Sequence, residues 1–159
     1  MRHHALPLRW SKSLALQAQK IASDLLNDKQ TETNERNGIS RKDGLDTVGE
    51  NVEKFSSVEY GCDRAGFEAT RRWYAQSENY SYNDPHVNDQ TNSFTQLVWK
   101  DTKYLGMGCA SRKGLLTNDI YVVALYSPPG NAGNAVTRNV IRPGSGRSSS
   151  DLYSGFFRK

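Results

Sequence analysis

Three histidines, two cysteines and scattered carboxylates are the residues of this 159-residue chain that could hold a metal or move a proton. Zinc takes three or four His, Cys or carboxylate ligands gathered at one point. His3 and His4 sit at the chain start, where ends fray, and His86 stands alone in a polar loop, the usual setting of a solvated imidazole. Cys62 and Cys109 are the only cysteines, whereas small secreted domains recruit several pairs; this usage favours a reducing compartment. A different kind of chemistry is offered by Tyr80-Ser81-Tyr82-Asn83-Asp84-Pro85, because a tyrosine ring supplies apolar area while its hydroxyl stays wet. With Val87, these rings either present a gripping surface or simply pack their loop onto the helix bearing Trp73.

The elements that must position these groups follow from periodicity. Ser11 is a suitable N-cap for a helix in which Leu14, Ala18, Ile21, Ala22, Leu25 and Leu26 form one apolar stripe, ended by Asn27-Asp28. Residues 29–48 are polar, charged and punctuated by Gly38 and Gly44, and read as a long surface loop with at most one short strand. Gly49 to Val52 returns the chain to the core. Asp63 then caps a helix to about Glu78, on which Ala65, Ala69, Trp73, Gln76 and Tyr80 share a face, so Gln76 looks where Trp73 looks. Another polar loop covers 79–91, and Phe94, Leu97 and Val98 mark a short amphipathic helix. Tyr104–Ser111 and Ile120–Ser127 form a hairpin around Gly114 and Asn118-Asp119, and Pro128-Pro129-Gly130 stops the second strand. Helices followed by a hairpin make an α+β domain.

The chain is long enough for one domain with a real core, since this size buries about 70% of the unfolded surface. Its longest apolar run, Tyr121–Tyr126, is far short of the roughly 20 residues of a spanning helix, so any membrane contact is peripheral. The net charge of +4 is concentrated at the end, where Arg138, Arg142, Arg147, Arg158 and Lys159 outweigh Asp151. Such a tail is drawn to anionic lipid, and only loosely and without specificity to nucleic acid, or is a solvated flexible end. Residues 1–143 therefore read as the domain and 144–159 as a basic, flexible tail.

Several motifs, met in order, carry a resemblance. His4-Ala5-Leu6-Pro7-Leu8-Arg9-Trp10, Gly49-Glu50-Asn51, Trp73-Tyr74, Phe94-Thr95-Gln96-Leu97-Val98-Trp99 and Tyr121 to Asn131 through Pro128-Pro129-Gly130 together resemble the CAP superfamily of cysteine-rich secretory, antigen and pathogenesis-related proteins. The few cysteines, with Asn139-Val140 followed by Pro143, are most similar to its Golgi-associated plant pathogenesis-related branch. The resemblance implies a three-layer α-β-α sandwich around a central antiparallel sheet, with the family's first helix clipped. It also implies an intracellular protein, cytoplasmic or peripheral on Golgi membranes, or a secreted one where a leader precedes these residues.

In the family two histidines and two glutamates converge in a cleft that can hold a divalent metal. Here Glu50 survives, the second glutamate is Gln76, one histidine is Ser93, and the other has no counterpart between His4 and His86. One carboxylate, an amide and a hydroxyl do not make a zinc site, so the resemblance implies no metal and no cofactor. A hydrolase proposed for the family would use Ser56, yet a serine hydroxyl needs a positioned base and the expected histidine is missing. Glu50 then reads as a structural carboxylate bound by backbone N–H groups. The Tyr80–Pro85 loop resembles one associated with sterol binding in some members, which makes Tyr80, Tyr82 and Pro85 the candidate lipid contacts. The expected function is non-enzymatic binding of lipid, sterol, an anionic membrane surface or a protein partner, with a homodimer possible. The alternatives are a serine-dependent hydrolase and a secreted defence effector.

Overall fold

The computed structural model describes residues 3–27 and 48–144; the expected 29–48 loop, but for Val48, and the basic tail, but for Gly144, lie outside the described residues. Among the described residues four strands form the sheet: β1 (Arg9–Trp10), β2 (Gly49–Ser57), β3 (Tyr104–Lys113) and β4 (Asn118–Ser127), in the order β1-β3-β4-β2. The β3–β4 and β2–β4 pairs are antiparallel, with Gly106 opposite Leu125 and Asn51 opposite Ala124. β1 adds a two-residue parallel edge, Arg9–Trp10, to β3, so the sheet is mixed around the antiparallel centre of β3, β4 and β2.

Strand alternation gives β4 two buried faces, which is why 120–126 is apolar throughout. Tyr121, Val123 and Leu125 face α1 (Lys12–Asn27), which presents Leu14, Ala18, Ile21, Ala22 and Leu25. Ile120, Val122, Ala124 and Tyr126 face α2 (Cys62–Ala75), which presents Ala65, Ala69 and Trp73. Helix, sheet and helix are the three layers of an α+β sandwich. The Leu14 N–H donates to the Ser11 hydroxyl at 3.3 Å, the expected cap of α1. Gly106 and Gly108 bring α1 directly onto β3: a Cβ on either would collide with the α1 backbone at Leu14–Ala15 or Ala18–Gln19.

A third cluster, Tyr80, Phe94, Val98, Trp99, Val136 and Val140, binds α3 (Asn92–Leu97) and α4 (Val136–Asn139) to the α2 side. Three local expectations are corrected. Gly61, not Asp63, is the residue before α2; Asp63 sits in the first turn, and its carboxylate accepts from the Gly61 N–H at 3.0 Å. Cys62 and Cys109 form a disulfide that pins the start of α2 to β3. Bridges of this kind persist in oxidising compartments, so the reducing compartment inferred from two cysteines is withdrawn. His3 is not frayed: it is 6% exposed. One ring nitrogen lies 2.9 Å from the Ile141 carbonyl and the other 2.9 Å from the Tyr74 hydroxyl. Among the described residues no helix is long and apolar enough to cross a membrane.

Candidate functional site

The end of α2 delivers Gln76 to the start of α3. After Ala75 the chain tightens into a 3-10 turn, Gln76–Asn79. This turn aims the amide oxygen of Gln76 at the Ser93 and Phe94 N–H groups, which donate to it at 2.9 and 3.2 Å. The first N–H groups of a helix have no partner within it. Gln76 supplies that partner from another element, since no side-chain cap from Thr91 does so. The Ser93 carbonyl in turn accepts from the Asn51 amide at 3.0 Å, and the same Asn51 nitrogen donates to the Tyr126 hydroxyl at 3.3 Å. Burial pushes the Tyr126 phenol well above its ordinary value, with the Asn51 hydrogen bond pulling the other way.

Gln76 and Ser93, named from sequence, thus meet, and Asn51 and Tyr126 join them. Glu50 occupies a different position. It is half-buried in β2 opposite Leu125. Strand alternation sends its side chain to the face on which Val48 and Val52 pack against the α1 cluster, while Asn51 projects toward α3. The β2 carboxylate on the α2 side is Glu53, 3.1 Å from the Arg72 guanidinium. Burial raises the Glu53 pKa, and the hydrogen bond and charge of Arg72 oppose the rise.

The other end of α3 is latched to the turn after β4. Gln96 is 2% exposed and accepts the Gly130 N–H at 2.7 Å, while its amide nitrogen donates to the Thr102 hydroxyl at 3.4 Å. Thr95 donates its hydroxyl to Asn131 at 2.7 Å, and the Asn131 amide returns a bond to the Asn92 carbonyl at 2.8 Å. Asn131 has φ 59°, a left-handed conformation that asparagine tolerates better than most residues. The Phe94–Trp99 and Pro128–Asn131 motifs are therefore two halves of one clasp. Sequence reasoning found both motifs but not the polar exchange between them, because nothing in either shows which amide meets which backbone group.

The tyrosine loop packs inward. Tyr80 is 7% exposed, with ring centroids 4.9 Å from Tyr82 and 5.5 Å from Phe94. Among the described residues its hydroxyl has no hydrogen-bond partner, and burial raises its pKa. Tyr82 is half-buried under the Arg142 guanidinium, 5.0 Å from its ring centre. Pro85 alone of the three lipid candidates lines a cavity of about 460 Å³, open to solvent, between His86, Val87 and the 131–137 segment. Its lining is mainly polar, with Asn131, Asn134 and Thr137 beside His86. His86 is exposed, and its Nδ1 donates locally to the Asp84 carbonyl at 2.9 Å. Ser56 is exposed on β2, where its hydroxyl donates to the Asp119 carboxylate at 3.2 Å. Six strand positions, roughly 20 Å, separate it from Glu50. Among the described residues no group of three His, Cys, Asp or Glu side chains is placed to share a metal ion.

A sheet covered by one helix on one face and by α2 and a short, doubly latched α3 on the other defines the CAP type of α-β-α sandwich. The model of the cysteine-rich secretory protein family, CAP, matches residues 2–126, and the chain belongs to that family. It is 31% identical over 144 residues to the Golgi-associated plant pathogenesis-related protein 1 of Homo sapiens, covering 89% of this chain and 84% of that protein. Pathogenesis-related protein 1 of Arabidopsis thaliana is 29% identical over 129 residues, covering 80% of this chain and 68% of the relative. Among solved structures, that of BmVAL-1 superposes with a TM-score of 0.62 at 27% identity, covering 82% of this chain. The chain spans 63% of that structure's length, less than two thirds of it.

Proposed function

We propose that this CAP domain acts by binding rather than by chemistry, with lipid, sterol or an anionic membrane surface as its target and a protein as a further partner. The observation that carries the reading is Gln76: its amide oxygen is occupied by two backbone N–H groups, where a proton-transfer site would need a free base. Ser93 beside it offers a hydroxyl and a carbonyl, the carbonyl already engaged by Asn51. Ser56, the nucleophile of the hydrolase alternative, donates its hydroxyl to Asp119, and among the described residues no imidazole is bonded to it.

Tyr80 is buried, which leaves the half-buried Tyr82, Pro85 and Val87 as the candidate lipid contacts of this loop, the last two at the cavity they share with Val136. The disulfide supports residence in an oxidising compartment, such as the lumen of the secretory pathway or the cell exterior. The test is extraction: the purified chain is incubated with a sterol, a fatty acid and a phosphoinositide, re-isolated, and its retained lipid measured against a control protein. Retention above the control, unchanged by Ser56→Ala, is expected. Retention no greater than the control's, with esterase activity abolished by Ser56→Ala, would replace the binding reading with the hydrolase.

A further inference from the structure

The β3–β4 hairpin ends in an unusual tip. Gly114 donates its N–H to the Thr117 carbonyl at 2.9 Å, which leaves Leu115 and Leu116 alone at the apex. Such positions normally go to Gly, Asn, Asp, Ser or Pro, whose backbone or side chain suits a turn. Leucine offers neither benefit. Here Leu115 is 101% exposed and Leu116 83% exposed, so neither side chain packs on the domain. Val58, 74% exposed, stands at the same end of the sheet, just beyond the Ser57–Asn118 pair. The Asn118 amide ties the two segments together by donating to the Tyr60 carbonyl at 3.2 Å.

We infer that this tip is a membrane wedge: Leu115 and Leu116 enter the acyl boundary of a bilayer, and Lys113 rests at the level of anionic headgroups. Two features favour a bilayer over a protein. The apolar feature is convex and consists of three side chains, well short of the roughly 800 Å² that a stable interface takes from each partner. A protrusion needs a pocket in a protein, but a bilayer deforms around it. The charge pattern also fits. Lys113 is exposed opposite the neutral Asn118, whereas Arg112 is opposite Asp119 and donates to Asn27 at 2.9 Å. Glu59, on the Val58 side, and Asp63, in the first turn of α2, are further exposed acids at this end, but among the described residues Lys113, the cation nearest the leucines, is in no ion pair.

The inference deepens the membrane half of the proposed function and rests on it. The experiment uses the full chain in sedimentation with vesicles of phosphatidylcholine, alone and mixed with phosphatidylserine. Wild type is expected to bind the mixed vesicles. The Leu115→Ser/Leu116→Ser double variant should bind at least about tenfold more weakly, with its melting transition unchanged because neither leucine packs on the fold. Leu116→Trp should shift its emission to shorter wavelength when vesicles are added. Equal binding by the double variant, with no shift from the reporter, overturns the wedge and leaves membrane binding by another surface standing. No binding by wild type overturns both. Self-association of wild type in sedimentation velocity, abolished in the double variant, would assign the tip to a second copy of the chain instead.

Discussion

Replacing Gln76 by methionine keeps its length and removes its acceptor, which isolates the role given to this side chain. In the wild type its oxygen takes two N–H groups at the start of α3, at 2.9 and 3.2 Å. Ser93 is 6% exposed and Phe94 fully buried, so water cannot freely take the place of the lost acceptor. An orphaned buried donor costs about 1–3 kcal/mol. Gln76 itself is half-buried and admits some water from its own side, which puts the pair near the low end, at about 2 kcal/mol in all. For a domain of this size, about 2–4 °C per kcal/mol, the melting temperature should fall by about 4–8 °C. Gln76→Glu keeps an acceptor oxygen for both N–H groups and places a negative charge at the helix start, so it should melt within about 2 °C of wild type. Calorimetric melting of the three proteins decides the matter. A Gln76→Met variant as stable as wild type, or a Gln76→Glu variant as damaged as the methionine one, would refute the capping argument.

Three further outcomes follow from the packing. The Tyr126 phenol is raised by burial, so above about pH 10 the unfolded chain releases a proton that the folded chain keeps. Stability should therefore be full below that pH and fall as pH rises, by up to about 1.4 kcal/mol per unit, and urea denaturation of Tyr126→Phe should show a shallower alkaline limb. The Cys62–Cys109 bridge spans 47 positions, and its reduction should lower stability by about 3–4 kcal/mol, read as a drop in the denaturation midpoint; an unchanged midpoint would mean the closed loop is already restrained. Gly108→Ala drives a methyl group into the α1 backbone at Ala18–Gln19 and should cost about 3 kcal/mol, whereas Gly66→Ala, which meets only the flexible end of Met107, should be nearly neutral.

The helices and the hairpin were legible because their signals are local. The α1 stripe from Leu14 to Leu25, the Ser11 cap and the two-faced apolar run of β4 each state their own periodicity. β1 was not legible, since two residues carry no period and its pairing partner lies some 95 positions away. The disulfide failed for a related reason: cysteine counting weighs compartments statistically, while the bridge depends on where α2 begins relative to β3. The site was half legible. Motif order put Gln76 and Ser93 together, but strand alternation separates Glu50 from them and brings in Asn51, a residue whose type alone suggests no chemistry. For Tyr80, an aromatic in a polar loop gives the same sequence signal whether it faces solvent or Phe94.

The corner formed by Gln76, Ser93 and Asn51 holds structure, with the Gln76 oxygen and the Ser93 carbonyl engaged by backbone N–H groups and a neighbouring amide. Titration calorimetry of zinc into the full chain tests it most directly. No stoichiometric uptake is expected, and none of full affinity after Ser93→His and Gln76→Glu are installed together, because one carboxylate and one imidazole fall short of the three or four ligands zinc requires. One equivalent of tightly held zinc in the unmodified chain, lost on changing Ser93 or His86, would contradict it.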